Sequence, residues 1–154
     1  RVIRALEYYE ETKTPISLHN EEQREKESPY NFCYFVLNDE REQLYKNIDK
    51  RVDSMFETGL LEEVKTLYEK GYTKDMVSMQ GLGYKEILDY FNGEISLERA
   101  IYLIKRDTRH FAKRQLTWFR REKEVTWVNK QDFSYNEKAI LDYLLHNIKE
   151  KHIL

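Results

Sequence analysis

Between residues 99 and 123 the chain carries Arg99, Lys105, Arg106, Arg109, Lys113, Arg114, Arg120, Arg121 and Lys123 against Asp107 and Glu122. That is a local excess of seven positive charges in a chain whose formal net charge is -2. Arg106, Arg109, Lys113 and Arg120 recur at spacings near three and four, so on a helix they form one stripe, flanked by Arg114 and Arg121. Few acids stand one turn away to pair with them, which favours binding of a polyanion over a merely solvated face. Phe111, Trp118 and Phe119 are interleaved with the cations and could stack on bases, although helical spacing directs Phe111 and Phe119 to a core.

Three further features interrupt otherwise ordinary patterns. Leu97, Ile101, Ile104, Phe111, Ala112 and Phe119 gather on one side of a helix over 97–121, yet Thr108 and Gln115 fall in the middle of that side. Buried, each needs a hydrogen-bond partner at a cost of about 1–3 kcal/mol if left without one. Two readings stand: internal bonding to a turn or loop carbonyl, or a face that borders a polar cavity. Arg51 projects within about 20° of Leu44, at the border of an apolar stripe. It either runs its stem out to solvent or points its fork into a cleft, where a guanidinium suits bidentate contact with phosphate oxygens. Finally, DMVSMQGLGY, residues 75–84, holds Gly81 and Gly83, which permit positive φ or close backbone approach. This is not a P-loop, since GxxxxGKS/T occurs nowhere in these residues.

No other catalytic set emerges. His19, His110, His146 and His152 show no metal-ligand spacing with one another or with Cys33, and neither GxSxG nor HExxH occurs. The single cysteine excludes a disulfide framework within the chain and any multi-cysteine zinc site, and it fits a reducing compartment. No apolar run approaches the roughly 18–20 residues of a membrane span.

The 154 residues, 40% apolar and 35% charged, suit one core with a wet surface. The chain opens within a helical pattern, without Met or N-cap, and reads as part of a longer protein. A helix over 1–12 ends at Thr14-Pro15, and 19–28, with no apolar residue, reads as a solvated loop. FCYFVLN, 32–38, reads as a strand buried on both faces, with Asn38-Asp39 as the cap of the next helix. Helices are expected over 40–58, from Gly59 to about Lys70, and over 84–91, with a loop at 71–83. Ser96 caps a long helix to about Arg121. VTWV, 125–128, is a short strand, and 136–150 a terminal helix.

The stretches RVIRALE, KRVDSMFETGLLEEV, QGLGYKEI and TRHFAKRQLTWFRR, in this order along the chain, resemble the C-terminal half of the tRNA dimethylallyltransferase (tRNA isopentenyltransferase, IPP transferase) family. The resemblance covers essentially the whole chain. Residues 12–15, TKTP, and Leu82 depart slightly from the family pattern. It implies an α/β parentage with a P-loop NTPase-like core, of which this chain would supply a mainly α-helical portion and two short strands of the parallel sheet, side by side. Residues 1–38 would be helix, loop and core strand; 40–121 a helical region contacting tRNA and diphosphate; 125–150 the last strand and helix. The P-loop and the aspartate acting as general base would lie upstream of Arg1.

The resemblance further implies transfer of a dimethylallyl group from dimethylallyl diphosphate to the exocyclic amine of the adenosine beside the anticodon. Mg²⁺ would be held mainly by the half not in this chain. Arg51 matches the arginine that reaches the diphosphate. Asp75, Met76, Val77, Ser78, Met79 and Gln80 match one tRNA-contacting segment. Thr108, Arg109, His110, Phe111, Ala112, Lys113, Arg114 and Gln115 match another, with Thr108 and Gln115 bordering the nucleotide channel. The partner is the anticodon stem-loop, and the full-length protein is expected to be a cytoplasmic monomer without a membrane segment. A non-catalytic helical RNA-binding module and a protein-binding scaffold are the alternatives.

Overall fold

In a computed structural model the chain is described over residues 2–26 and 28–153. Arg1, at the head of the expected first helix, and Glu27, within the expected loop 19–28, lie outside the described residues. Two compact units are formed, one by Arg1–Phe32 with Ile148–Leu154 and the other by Cys33–Asn147.

In the first unit, α1 (Val2–Thr12) is followed by α2 (Ile16–Glu25). Lys13 takes a left-handed turn at φ 56 between them. The solvated loop expected over 19–28 is therefore corrected: most of it is helix. Pro15 opens that helix at φ -59, and Glu, Gln and Arg are good helix formers that need no apolar stripe on a surface helix. His19 of α2 lies 5.2 Å from the Tyr8 ring of α1, which ties the two together.

In the second unit, β1 (Tyr34–Asn38) pairs in parallel with β2 (Val125–Asn129), Tyr34 opposite Val125 and Asn38 opposite Asn129. The expected neighbouring parallel strands are thus present. Burial of β1 on both faces is not: Val36 is buried, but Leu37 is 54% exposed. Val128, opposite Leu37 and on the same face, is 1% exposed, so that face is covered over β2 and open at Leu37. At the strand ends Asn38 Nδ2 donates to Asn129 Oδ1 at 2.9 Å.

Asp39 does not cap the next helix as expected. Its Oδ1 accepts from the Glu40 N–H at 2.8 Å and from the Tyr135 hydroxyl at 2.9 Å. That bond holds the Tyr135 hydroxyl above its usual range.

The core is built by α3 (Arg41–Glu57), α4 (Leu60–Glu69), α5 (Tyr84–Phe91) and α6 (Leu97–Phe119). Each presents apolar residues at helical spacing, and Val52, Leu60, Val64, Ile87, Leu88 and Ile104 form one buried cluster. Gly59, at φ 107, allows α4 to start immediately after α3. Ser96 Oγ accepts from the Arg99 N–H at 3.2 Å and caps α6 as its sequence position requires. A terminal helix, α7 (Glu137–Glu150), completes the chain. Among the described residues no helix is long and apolar enough to cross a membrane.

Candidate nucleic-acid interface

Helix α6 has 23 residues and is therefore about 34 Å long. Only its first half meets the core, where Ala100 and Ile104 are fully buried. Thr108 sits where the helix leaves the core. Its Oγ1 donates to the Ile104 carbonyl at 2.7 Å, so the half-buried hydroxyl is bonded to its own helix. Gln115 is exposed. Of the two readings, internal bonding to the preceding turn holds for Thr108, whereas Gln115 is not buried, because beyond about residue 108 the apolar side of α6 is only partly covered, at Ala112, Leu116 and Phe119. Phe111, expected in the core, is 48% exposed for the same reason. Phe119 meets the Tyr34 ring of β1 edge-on at 6.1 Å.

The cations divide into two groups. Those near the core are engaged. Lys105 Nζ lies 2.5 Å from Asp53 Oδ1 and Arg109 Nη1 lies 2.5 Å from Asp49 Oδ1. The register shows that α3 and α6 run antiparallel, with two ion pairs one turn apart along their seam. Arg106 grips Asp107 through Nε at 2.7 Å and Nη2 at 3.0 Å. These bonds hold the Asp107 carboxyl below its usual range and the Arg106 guanidinium above its own. His110 Nδ1 stands 3.7 Å from Asp107 Oδ1.

Four of those beyond the core lack a carboxylate partner. Among the described residues no carboxylate lies within 4.0 Å of Lys113, Arg114, Arg120 or Arg121. The expected ridge is thus partly neutralised at Arg106 and Arg109, and Lys113, Arg114, Arg120 and Arg121 stand without carboxylate partners.

The segment 75–83 lies at the start of α5. Val77–Gln80 forms a single 3-10 turn. Met79 is 2% exposed and belongs to the core cluster, so of the expected contacts it anchors the segment instead of facing outward. Asp75, Met76, Ser78 and Gln80 are exposed, and Val77 is 86% so. Gln80 Nε2 donates to the Lys74 carbonyl at 3.4 Å, and Lys74 is itself paired with Asp89.

Gly83, at φ 102, needs to be glycine; Gly81, at φ -61, does not. Glu86 is 3% exposed. Its Oε2 accepts from the Gly83 N–H at 2.8 Å and so fixes the end of the loop. Lys85 Nζ lies 3.4 Å from Glu86 Oε1. Helix α5 packs against α6, with Ile87, Leu88 and Ile104 in one core cluster, so the segment leading into α5 lies beside α6 although it is distant in sequence.

Arg51 is exposed and makes no ion pair among the described residues. It projects roughly 160° around α3 from Asp49 and Asp53, away from the seam with α6, so it does not join the cation group there. It has neither been drawn into an internal pair nor buried along its stem. Sequence reasoning passed over Asp49, Asp53 and Glu86. The four-residue spacing of Asp49 and Asp53 was the one available signal, since it puts both on one side of α3. Among the described residues no group of three or more His, Cys, Asp or Glu could hold a metal ion.

The IPP transferase family profile matches residues 1–122. The tRNA dimethylallyltransferase of Lachnoclostridium phytofermentans is 58% identical over 154 residues, all of this chain and 49% of that protein. The tRNA dimethylallyltransferase of Acetivibrio thermocellus is 54% identical over 140 residues, 91% of this chain and 45% of that protein. Among solved structures, the tRNA isopentenylpyrophosphate transferase of Staphylococcus epidermidis superposes with a TM-score of 0.75 at 39% identity, over 97% of this chain and 48% of that one. The full-length enzyme of the same description from Bacillus halodurans gives 0.71 at 44% identity, over 81% of this chain and 42% of that one. The chain spans about half the length of the curated relatives it matches.

Proposed function

The chain belongs to the IPP transferase family, and from that premise we propose that it is the RNA-holding part of a tRNA dimethylallyltransferase. The observation that carries this reading is the outer end of α6, where Lys113, Arg114, Arg120 and Arg121 stand without carboxylate partners in a chain of net charge -2. Such a group neutralises phosphates and releases their counterions, the main source of affinity for a nucleic-acid backbone. The exposed segment 75–80 adds a second contact. The ligand is the anticodon stem-loop of tRNA, and the reaction is cytoplasmic.

In the reaction, the exocyclic amine of the adenosine beside the anticodon attacks the terminal carbon of dimethylallyl diphosphate. The carbon–oxygen bond breaks, diphosphate departs, and the amine loses a proton to a base outside this chain. Charge grows on the departing diphosphate. The Arg51 guanidinium, unpaired and exposed, is suited to neutralise it through bidentate bonds. Any Mg²⁺ would be held mainly by the half of the enzyme that this chain does not include.

The test is binding of an anticodon stem-loop to this chain against an unstructured RNA of equal charge. Preference for the stem-loop is expected; equal affinity would sink the reading. No dimethylallyl transfer is expected from this chain alone, which has no P-loop sequence to cradle the diphosphate.

A further inference from the structure

The overhanging end of α6 carries an apolar stripe out of the core and into solvent. Phe111 is 48% exposed and Trp118 54%. They stand two turns apart, about 10 Å, on one side of the helix. Arg114 lies between them in sequence, with its guanidinium carbon 5.8 Å from the centre of the Phe111 ring. Trp118 rests edge-on against Phe119 at 5.1 Å, and Phe119 is in turn held edge-on by Tyr34. The indole is therefore braced from below while much of its surface stays open. Asp107 precedes this stretch and Glu122 comes after it; between them every charged side chain is a cation.

Flat rings set among bare cations match one ligand chemistry. A nucleobase offers a π-face of its own, and its phosphate offers the charge. An apolar protein surface would cover the rings but leave the neighbouring guanidinium groups to be desolvated without partners, which is costly. We infer that Phe111, Arg114 and Trp118 form a stacking ladder for unpaired bases of an RNA strand, with Lys113 and Arg121 meeting its phosphates. This rests on the RNA-binding reading above and adds how bases, beyond the backbone, are held.

The test uses this chain with Trp127→Phe, which leaves Trp118 as its one indole. It is titrated with a single-stranded adenosine heptamer, an RNA duplex of equal charge and inorganic polyphosphate. The heptamer is expected to quench Trp118 emission, and polyphosphate to bind without quenching. In the unaltered chain, Trp118→Leu and Phe111→Leu should each weaken the heptamer roughly 5- to 150-fold. Trp118→Phe should restore most of that loss, and polyphosphate affinity should stay level in all variants. Because Phe111→Leu does not depend on the Trp127 replacement, it tests the ladder if that variant misfolds. Unchanged heptamer affinity in both leucine variants, with Trp118 emission unmoved, would overturn the ladder while leaving RNA binding intact. Binding of polyphosphate but of neither RNA would overturn the RNA reading and the ladder with it.

Discussion

Arg109 of α6 and Asp49 of α3, sixty residues apart in sequence, form an ion pair at 2.5 Å across the seam of two antiparallel helices. The side chains are 24% and 38% exposed, so the pair is partly screened by water. A double-mutant cycle with Asp49→Ala and Arg109→Ala should give a coupling of about 0.5–1 kcal/mol in urea unfolding. Releasing the arginine with Asp49→Asn should raise RNA affinity at low salt by up to roughly five-fold, since a phosphate no longer competes with the carboxylate. A fall in affinity would mean that Asp49 orients Arg109 for RNA instead of withholding it.

Lys113 and Arg114 have no such partner, and their removal should read out directly on RNA. Lys113→Ala with Arg114→Ala should weaken stem-loop binding and reduce the slope of log affinity against log salt by roughly one per lost phosphate contact. Fold stability should change little, because no ion pair is broken and the contact of Arg114 with the exposed Phe111 ring is worth only about 0.5–1 kcal/mol. An unchanged salt slope would remove these residues from the interface.

Asp107 makes stability depend on acid. Its hydrogen bonds to Arg106 depress its pKa in the folded chain. A depressed carboxyl stabilises the fold above its unfolded pKa of about 3.9 and loses that contribution as pH falls through the folded value. Asp107→Asn should therefore lower the urea midpoint at pH 7, and the gap between the two proteins should narrow as pH falls below about 3.9. A gap that does not narrow as acid is added would point to packing instead of charge.

Glu86 is a buried carboxylate whose oxygen satisfies the Gly83 N–H. Glu86→Ala should cost about 1–3 kcal/mol by leaving that donor unpaired, whereas Glu86→Gln keeps an acceptor and should cost less. Equal losses in denaturant unfolding would show that the charge, acting with Lys85, matters more than the bond.

Arg51 stands apart from the α6 cations and calls for a different readout. In an enzyme that joins this chain to a P-loop half, Arg51→Ala should lower kcat by about 10²–10³-fold and leave RNA affinity unchanged. A loss confined to RNA binding would reassign it to the nucleic-acid surface.

Much of this architecture was legible in the residues alone. The apolar stripe through Leu44, Ile48 and Val52, the Ser96 cap and the break at Asn92-Gly93 each dictate backbone locally, and each element stands where those signals put it. The residues of the family blocks were legible in the same way. What escaped was of two kinds. The helix at Ile16–Glu25 was hidden because its propensity is spread over polar residues with no apolar period to reveal it. The roles of Asp49, Asp53 and Glu86 were hidden because a carboxylate in a polar stretch looks solvated until its neighbour is known.

The sequence by itself determined that α6 is one long amphipathic helix, that its positive charge is concentrated there, and which family its residues resemble. Only the tertiary structure decided where that helix leaves the core, so that Thr108 bonds to its own backbone while Phe111, Gln115 and Trp118 face water. It alone decided that Arg109 is held by Asp49 while Lys113 and Arg114 are not. The reason is geometric. Periodicity reports the angle of a residue around a helix axis, but the length of the surface packed against it, and the charges that surface brings, belong to other parts of the chain.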